Sequence, residues 1–264
     1  MNEQSLSLPA IHAVTGQVTA VKRPWQGQVY EVLLLEAANG RFVLKLGHSP
    51  EKAAELAREC EVLEALRPMA PFVPEPLARA TAGDDELFLF TCVEGENLLD
   101  QLEGADEARR ERIVTDFGRA LRRIHGWQPP MPRPTEWLDA ALAKAASNQW
   151  AQTKVDHSGR FHGADARELL AQVEQWLRPV EPQIVFSHLD YCLPNVIAHQ
   201  GEIAGVIDWS AGAYADRRVD LAAGAWTIRH NLKEERYVDA FLRGYGYQEG
   251  TESLRPYEAL WILL

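Results

Sequence analysis

Apolar and polar residues alternate through the first third of the chain. The runs AVTGQVTAV, from Ala13, and QVYEVLLLEAANGRFVLKL, ending at Leu46, read as strands, and Asn39-Gly40 between two apolar runs predicts a hairpin turn. The period then lengthens. In HSPEKAAELARECEVLEALRP, Ser49 stands as an N-cap, Pro50 at the first helical position and Pro68 beyond the end, while Leu56, Cys60, Leu63 and Leu66 mark one apolar helix face. After a proline-rich link, PFVPEPLARA and ELFLFTCV predict two more strands around a turn at Gly83-Asp84-Asp85. The chain thus opens with a small antiparallel sheet and one helix.

From Asn97 the pattern turns helical, through ADEARRERIVTDFGRALRRIHGW and segments around 137–150, 164–177 and 217–264. Short strand-like runs, IVF, VIA and IAGVI, interrupt it between Ile184 and Ile207. The change of pattern predicts an α+β protein with a first domain over residues 1–93 and a second, mainly helical one over 94–264.

Composition narrows the class without changing this division. With 264 residues, 46% hydrophobic and 25% charged, the chain has the make-up of an ordinary globular protein. Its apolar runs fall short of the ~20 residues that span a bilayer, and MNEQSLSLPA lacks a signal-peptide pattern, so the expected location is the cytoplasm, away from any membrane. Cys60, Cys92 and Cys192 have neither disulfide-framework nor zinc spacing. A formal net charge of -11 argues against a nucleic-acid partner and is compatible with a cationic small molecule.

The chemistry lies in FSHLDYCLPNVIAHQGEIAGVIDWS, Phe186 to Ser210. Asn195 follows Asp190 by five residues, and Asp208 follows Asn195 by thirteen. The runs NVIA and EIAGVID around Gln200-Gly201 predict a hairpin with Asn195 at one end and Asp208 at the other. Phosphoryl transfer needs a carboxylate to take the proton of the attacking hydroxyl, and oxygen ligands to hold Mg²⁺ on the phosphates. Asp190, Asn195 and Asp208 have the types and the order for those tasks.

The motif H-x-D-x-x-x-x-N followed by I-D-W, continued by GAYADRRVDLA, resembles the aminoglycoside phosphotransferase and choline kinase-like family, relatives of the protein kinases. The resemblance implies a two-lobed protein kinase-like fold, with a five-stranded antiparallel sheet plus one helix in the first lobe and mostly helix in the second. It implies ATP or GTP as phosphoryl donor, and a strand lysine on its phosphates paired with a helix glutamate. Lys45, ending RFVLK, fits the first role. Glu59 and Glu61 compete for the second. At about 100° per residue Glu59 falls at the edge of the apolar face and Glu61 points nearly opposite, and the Arg58-Glu59 pair matches the family context. Gly27 is the expected phosphate-covering turn, and the backbone of Thr91 to Val93 the expected adenine-contacting hinge.

Other residues carry plainer readings. His188 holds the loop, His125 caps or packs at a helix end, and Asp216 and Asp220 fix the loop after Asp208 or cap the next helix. Trp209, Trp226 and Trp261 are read as packing before substrate binding, and Cys192 as an inert thiol. Two departures stand out: Leu189 replaces the glycine common between the His and the Asp, and YEALWILL offers Glu258 alone where kanamycin-type relatives have an acidic, aromatic segment. The 208–220 interval has no room for a peptide-docking activation segment. The reading is a small-molecule kinase with an aminoglycoside as leading acceptor and amino alcohols, homoserine, sugars or macrolides as alternatives. Its rivals are a nucleotide-binding regulatory module without catalysis and a two-lobed protein that binds a cationic metabolite.

Overall fold

The computed structural model describes residues 8–24, 30–70, 72–157 and 159–264. Cα proximity divides the chain into two compact units. The first runs to Gly95 and takes in Ile197–Gln200 and Ala204–Ala211; the second holds Glu96–Val196, Gly201–Ile203 and Gly212–Leu264.

In the first unit the strands β1 (Val18–Lys22), β2 (Glu31–Ala37), β3 (Gly40–Gly47), β4 (Pro76–Ala82) and β5 (Asp85–Thr91) form one antiparallel sheet in the order β1-β2-β3-β5-β4. Alternation sorts its side chains. Leu33, Leu35, Phe42, Leu44, Leu46, Leu87 and Leu89 form one buried cluster. Lys45, Phe88 and Phe90 occupy the intervening positions, and Lys45 pairs in register with both Val32 and Phe88.

Ile11 completes that apolar cluster from an element the alternation pattern misread. Residues 13–15, expected as strand, end α1 (Pro9–Thr15). Pro9 sits at its first turn, the Thr15 hydroxyl donates back to Ile11 O, and Gly16 leaves the helix at φ 65°. Tertiary packing of Ile11 on the sheet outweighs the strand preference of two β-branched residues.

The helix α2 (Pro50–Leu66) starts as expected, with Ser49 Oγ accepting from Lys52 N. Its buried face runs through Ala53, Leu56, Glu59, Val62, Leu63 and Leu66, whereas Cys60 is half-buried. Glu59 therefore lies in the middle of the inward face.

The second unit contains α3 (Leu98–Leu102), α4 (Glu107–Ile124), α5 (Trp137–Ser147), α6 (Ala151–Asp156), α7 (Ala166–Leu177), α8 (Arg218–Leu232), α9 (Glu235–Tyr245) and α10 (Arg255–Leu263). Helices α4 and α9 touch backbone to backbone. A Cβ on Gly118 would meet Phe241 O at 2.1 Å, and one on Gly244 would meet Thr115 O at 2.1 Å. Strand β6 (Ile184–Ser187) pairs antiparallel with β9 (Ala213–Asp216).

Between these strands lies the expected hairpin, β7 (Val196–His199) and β8 (Glu202–Val206). Gln200 at φ 52° and Gly201 at φ 87° have the positive values of a two-residue type I′ turn. Asn195 immediately precedes β7, and Asp208 follows β8 by two residues. Among the described residues no helix is long and apolar enough to cross a membrane.

Candidate active site

The first unit buries a cation. Lys45 Nζ donates to Glu59 Oε1 and Oε2, each at 2.8 Å, and also contacts Asp208 Oδ1. Its ammonium stands 5.5 Å from the Phe90 ring centroid. Burial works against the charge, but the Asp208 and Glu59 carboxylates outweigh it and raise the Lys45 pKa above its usual value. Glu59 is itself fixed from a third side, because Trp209 N donates to its Oε1 at 3.2 Å. Trp209 is fully buried and its Nε1 donates to Val206 O at 2.8 Å, so it is core rather than substrate lining. Asp208 takes the left-handed conformation at φ 63°, an arrangement short polar residues tolerate and most others do not.

Thr91 ends β5 with its N–H committed to Glu75 O at 3.0 Å and its hydroxyl accepting from Glu75 N at 2.8 Å. Backbone contacts of the expected hinge would thus come from the residues after it. Val93 packs instead under the hairpin, 2.6 Å from where a Cβ on Gly205 would stand, which makes glycine necessary there. Gly27 lies outside the described residues.

The second unit holds Asp190 by its neighbours on both sides. Asn195 Nδ2 donates to Asp190 O at 2.9 Å and to Asp190 Oδ2 at 3.0 Å. Asp190 N donates to His188 Nδ1 at 3.2 Å. Tyr191 is fully buried, stacks on Phe117 at 4.4 Å between centroids, and donates its hydroxyl to Phe117 O at 2.8 Å. The residue after the carboxylate is thereby plugged into helix α4, an anchor that the sequence reading missed. The signal was a large aromatic placed directly after a polar motif residue. Cys192 is no rival nucleophile, since burial and then the Asp190 charge push its thiol well above the usual range.

Asp220 fixes the other side of the loop. Fully buried, it accepts from His188 N at 2.7 Å and Leu189 N at 2.6 Å, and His125 Nε2 stands 3.0 Å from its Oδ2. Asp216 serves the next turn: it accepts from Gln183 N at 3.1 Å and from Arg218 N at 3.0 Å, and pairs with the Arg218 guanidinium.

Among the described residues no group of three or more His, Cys, Asp or Glu side chains gathers around a metal position. Mg²⁺ bound through nucleotide phosphates takes only one or two protein ligands and prefers hard oxygens. The carboxylate of Asp208 and the side-chain carbonyl of Asn195, whose amide nitrogen is spent on Asp190, are of that chemistry.

A sheet that buries a lysine–glutamate pair, followed in sequence by H-x-D-x-x-x-x-N and a second aspartate, defines a phosphotransferase of protein kinase-like fold. The comparisons with known proteins agree. The sequence matches the phosphotransferase enzyme family (APH) over residues 18–257. It is 28% identical over 200 residues to an aminoglycoside 3'-phosphotransferase of Niallia circulans, covering 72% of this chain and 71% of that protein. A streptomycin 3''-kinase of Streptomyces griseus is 38% identical over 79 residues, 28% of this chain and 29% of its own. Among solved structures, an aminoglycoside phosphotransferase of Streptomyces rimosus, in complex with ADP and streptomycin, superposes with a TM-score of 0.75 at 22% identity over 100% of this chain and 99% of that one. An aminoglycoside 3'-phosphotransferase of type VIII gives 0.73 at 21% identity over 97% and 98%. The chain belongs to the phosphotransferase enzyme family.

Proposed function

We propose that the protein transfers the γ-phosphoryl group of ATP to a hydroxyl of an aminoglycoside, with GTP as an alternative donor. The observation that carries the reading is the Lys45–Glu59–Asp208 cluster, a buried cation held by two carboxylates in the first unit. A cation fixed in this way is pre-organised to bind phosphate oxygens. The acceptor class follows the named activities of the relatives.

In this mechanism Asp190 orients the acceptor hydroxyl and takes its proton as the oxygen attacks the γ-phosphorus. The bond from that phosphorus to the β–γ bridging oxygen breaks, and the nucleoside diphosphate leaves. Lys45, positioned by Glu59, holds the nucleotide phosphates. Asn195 and Asp208 would hold Mg²⁺, which would supply neutralisation of the phosphate charge. The hydrogen bond from Asn195 Nδ2 to Asp190 Oδ2 orients the base.

The test is nucleotide consumption by the purified protein with Mg²⁺, using ATP and GTP across aminoglycosides, amino alcohols, sugars and macrolides. Asp190→Asn should retain nucleotide binding and lose about 10²–10⁴-fold in turnover, the range expected for removal of a general base. Undiminished turnover in Asp190→Asn would sink its role, and stimulation by an amino alcohol or sugar alone would replace the acceptor.

A further inference from the structure

Leu189, between His188 and Asp190, has φ 66°, in the left-handed region. A leucine populates that region roughly 5- to 30-fold less than its ordinary conformations, because its Cβ crowds the following carbonyl. Something must hold it there, and the structure shows what does. Both oxygens of the buried Asp220 carboxylate accept backbone amides of the loop, Oδ2 from His188 N at 2.7 Å and Oδ1 from Leu189 N at 2.6 Å. That carboxylate is oriented from behind. His125, at the C-terminal end of α4, lies with Nε2 at 3.0 Å from Asp220 Oδ2, and its Nδ1 meets the Tyr245 hydroxyl of α9 at 2.8 Å.

The protons along this line run one way. Burial raises the Tyr245 pKa, so its O–H remains a donor at neutral pH. With the Tyr245 hydroxyl donating to Nδ1, the ring hydrogen on Nε2 points at Asp220. Three helices thus converge on one loop: α9 through Tyr245, α4 through His125 and α8 through Asp220.

We infer that His125 and Tyr245 are positioning residues for phosphoryl transfer: they fix the plane of the Asp220 carboxylate, which clamps Leu189 in the left-handed turn that aims Asp190. A glycine at position 189 would enter this turn at no steric cost. With leucine there, the aim of Asp190 depends on the clamp. The inference rests on the proposed role of Asp190 and adds a dependence that this role alone does not require.

The experiment is a double-mutant cycle between His125→Ala and Leu189→Gly, run beside Asp190→Asn and Tyr245→Phe. Initial rates with ATP, Mg²⁺ and streptomycin, and with water as sole acceptor, are combined with amide hydrogen exchange at residues 188–190. His125→Ala is expected to lower kcat about tenfold with the KM for ATP within about twofold, and to speed exchange at Leu189 and Asp190. In the Leu189→Gly background the same substitution should lose only about two- to threefold, because the turn no longer needs holding. Tyr245→Phe, which deletes one hydroxyl, should act in the same direction and keeps the test open if His125→Ala does not fold. Equal losses in both backgrounds, or unchanged kcat and exchange in both His125→Ala and Tyr245→Phe while Asp190→Asn is inactive, would overturn the clamp alone. Full turnover by Asp190→Asn would overturn the reading beneath it.

Discussion

Replacing Lys45 by methionine should convert Glu59 from an asset into a pH-dependent liability. Lys45 and Glu59 are 6% and 2% exposed, and two 2.8 Å contacts join them. Removing one partner of such a pair costs about 3–5 kcal/mol, because the other charge is stranded in a poorly polarisable interior. Asp208 also loses its contact with Lys45, but its side chain is 43% exposed and water replaces the ammonium, so its share falls near the ~0–1 kcal/mol of a surface pair. Glu59 decides the outcome. One compensating hydrogen bond remains to it, from Trp209 N.

A stranded Glu59 lowers its cost by taking up a proton, which raises its folded-state pKa above the ~4.3 of the unfolded chain. At low pH both states are then protonated and no penalty is felt. As the pH rises past the unfolded value, the unfolded chain releases its proton first, and the variant loses about 1.4 kcal/mol per pH unit until the folded group ionises. Between pH 5 and pH 7 the variant should therefore lose roughly 3 kcal/mol of its own stability, more than wild type loses over the same interval. In the wild-type protein burial already raises the Glu59 pKa and the Lys45 ammonium opposes that rise, so removing Lys45 steepens a slope that the pair keeps shallow. Urea midpoints at the two pH values measure the effect, and adding Glu59→Gln to Lys45→Met should abolish the slope. A Lys45→Met protein whose stability follows wild type at both pH values would refute the claim that Glu59 is buried against this lysine.

Two further predictions follow from close packing and from thiol chemistry. Gly244→Ala places a Cβ 2.1 Å from Thr115 O, a backbone atom that cannot swing away, and should cost about 1–3 kcal/mol with a matching fall in the thermal midpoint; an unchanged midpoint would mean that α4 and α9 pack less closely. Burial first, then nearby Glu59, raise the Cys60 thiol to about 11, so at neutral pH its thiolate population is roughly a hundredfold below that of a free cysteine. Iodoacetamide labelling followed by mass should be slower by that factor, and labelling at the free-cysteine rate would contradict the burial.

What the sequence made legible was local. Ser49, Pro50 and the spacing of leucines specify α2 within one stretch of chain, and Gln200-Gly201 specifies its hairpin from two residues. The first helix was missed because seven residues carry little period, and the better signals, Pro9 ahead and Gly16 behind, were outweighed by β-branched neighbours. Apolarity alone ranked Cys60 inward and put Glu59 at the margin. The partner that draws Glu59 to the centre of the face lies on a strand fourteen residues earlier, and only the folded sheet presents it. The same limit applies to the loop around Asp190. Its link to Asn195 spans five residues and could be read, whereas the link from Leu189 to Asp220 spans 31 and that from His125 to Asp220 spans 95. Contacts at those separations are set by which helices pack together, and no short motif encodes them.

Acceptor recognition shows the same division between a residue's type and its placement. Glu258 is the one carboxylate in YEALWILL, yet it is 1% exposed and lies between Arg229 Nη1 at 3.1 Å and Arg160 Nη1 at 3.5 Å. Burial raises its pKa despite both arginines, and its ion pairs tie α10 to Arg229 of α8 and to Arg160 in the segment before α7 rather than facing outward. What α10 does present beside it is aromatic. Trp261 stands 5.1 Å from Trp226, which stacks on His230 at 4.8 Å, and burial and Lys233 lower the His230 pKa so that its ring is neutral at neutral pH. A carboxylate spent inside an ion-pair network adds nothing to amine binding. The aminoglycoside assignment therefore draws on the relatives' chemistry and not on the last helix.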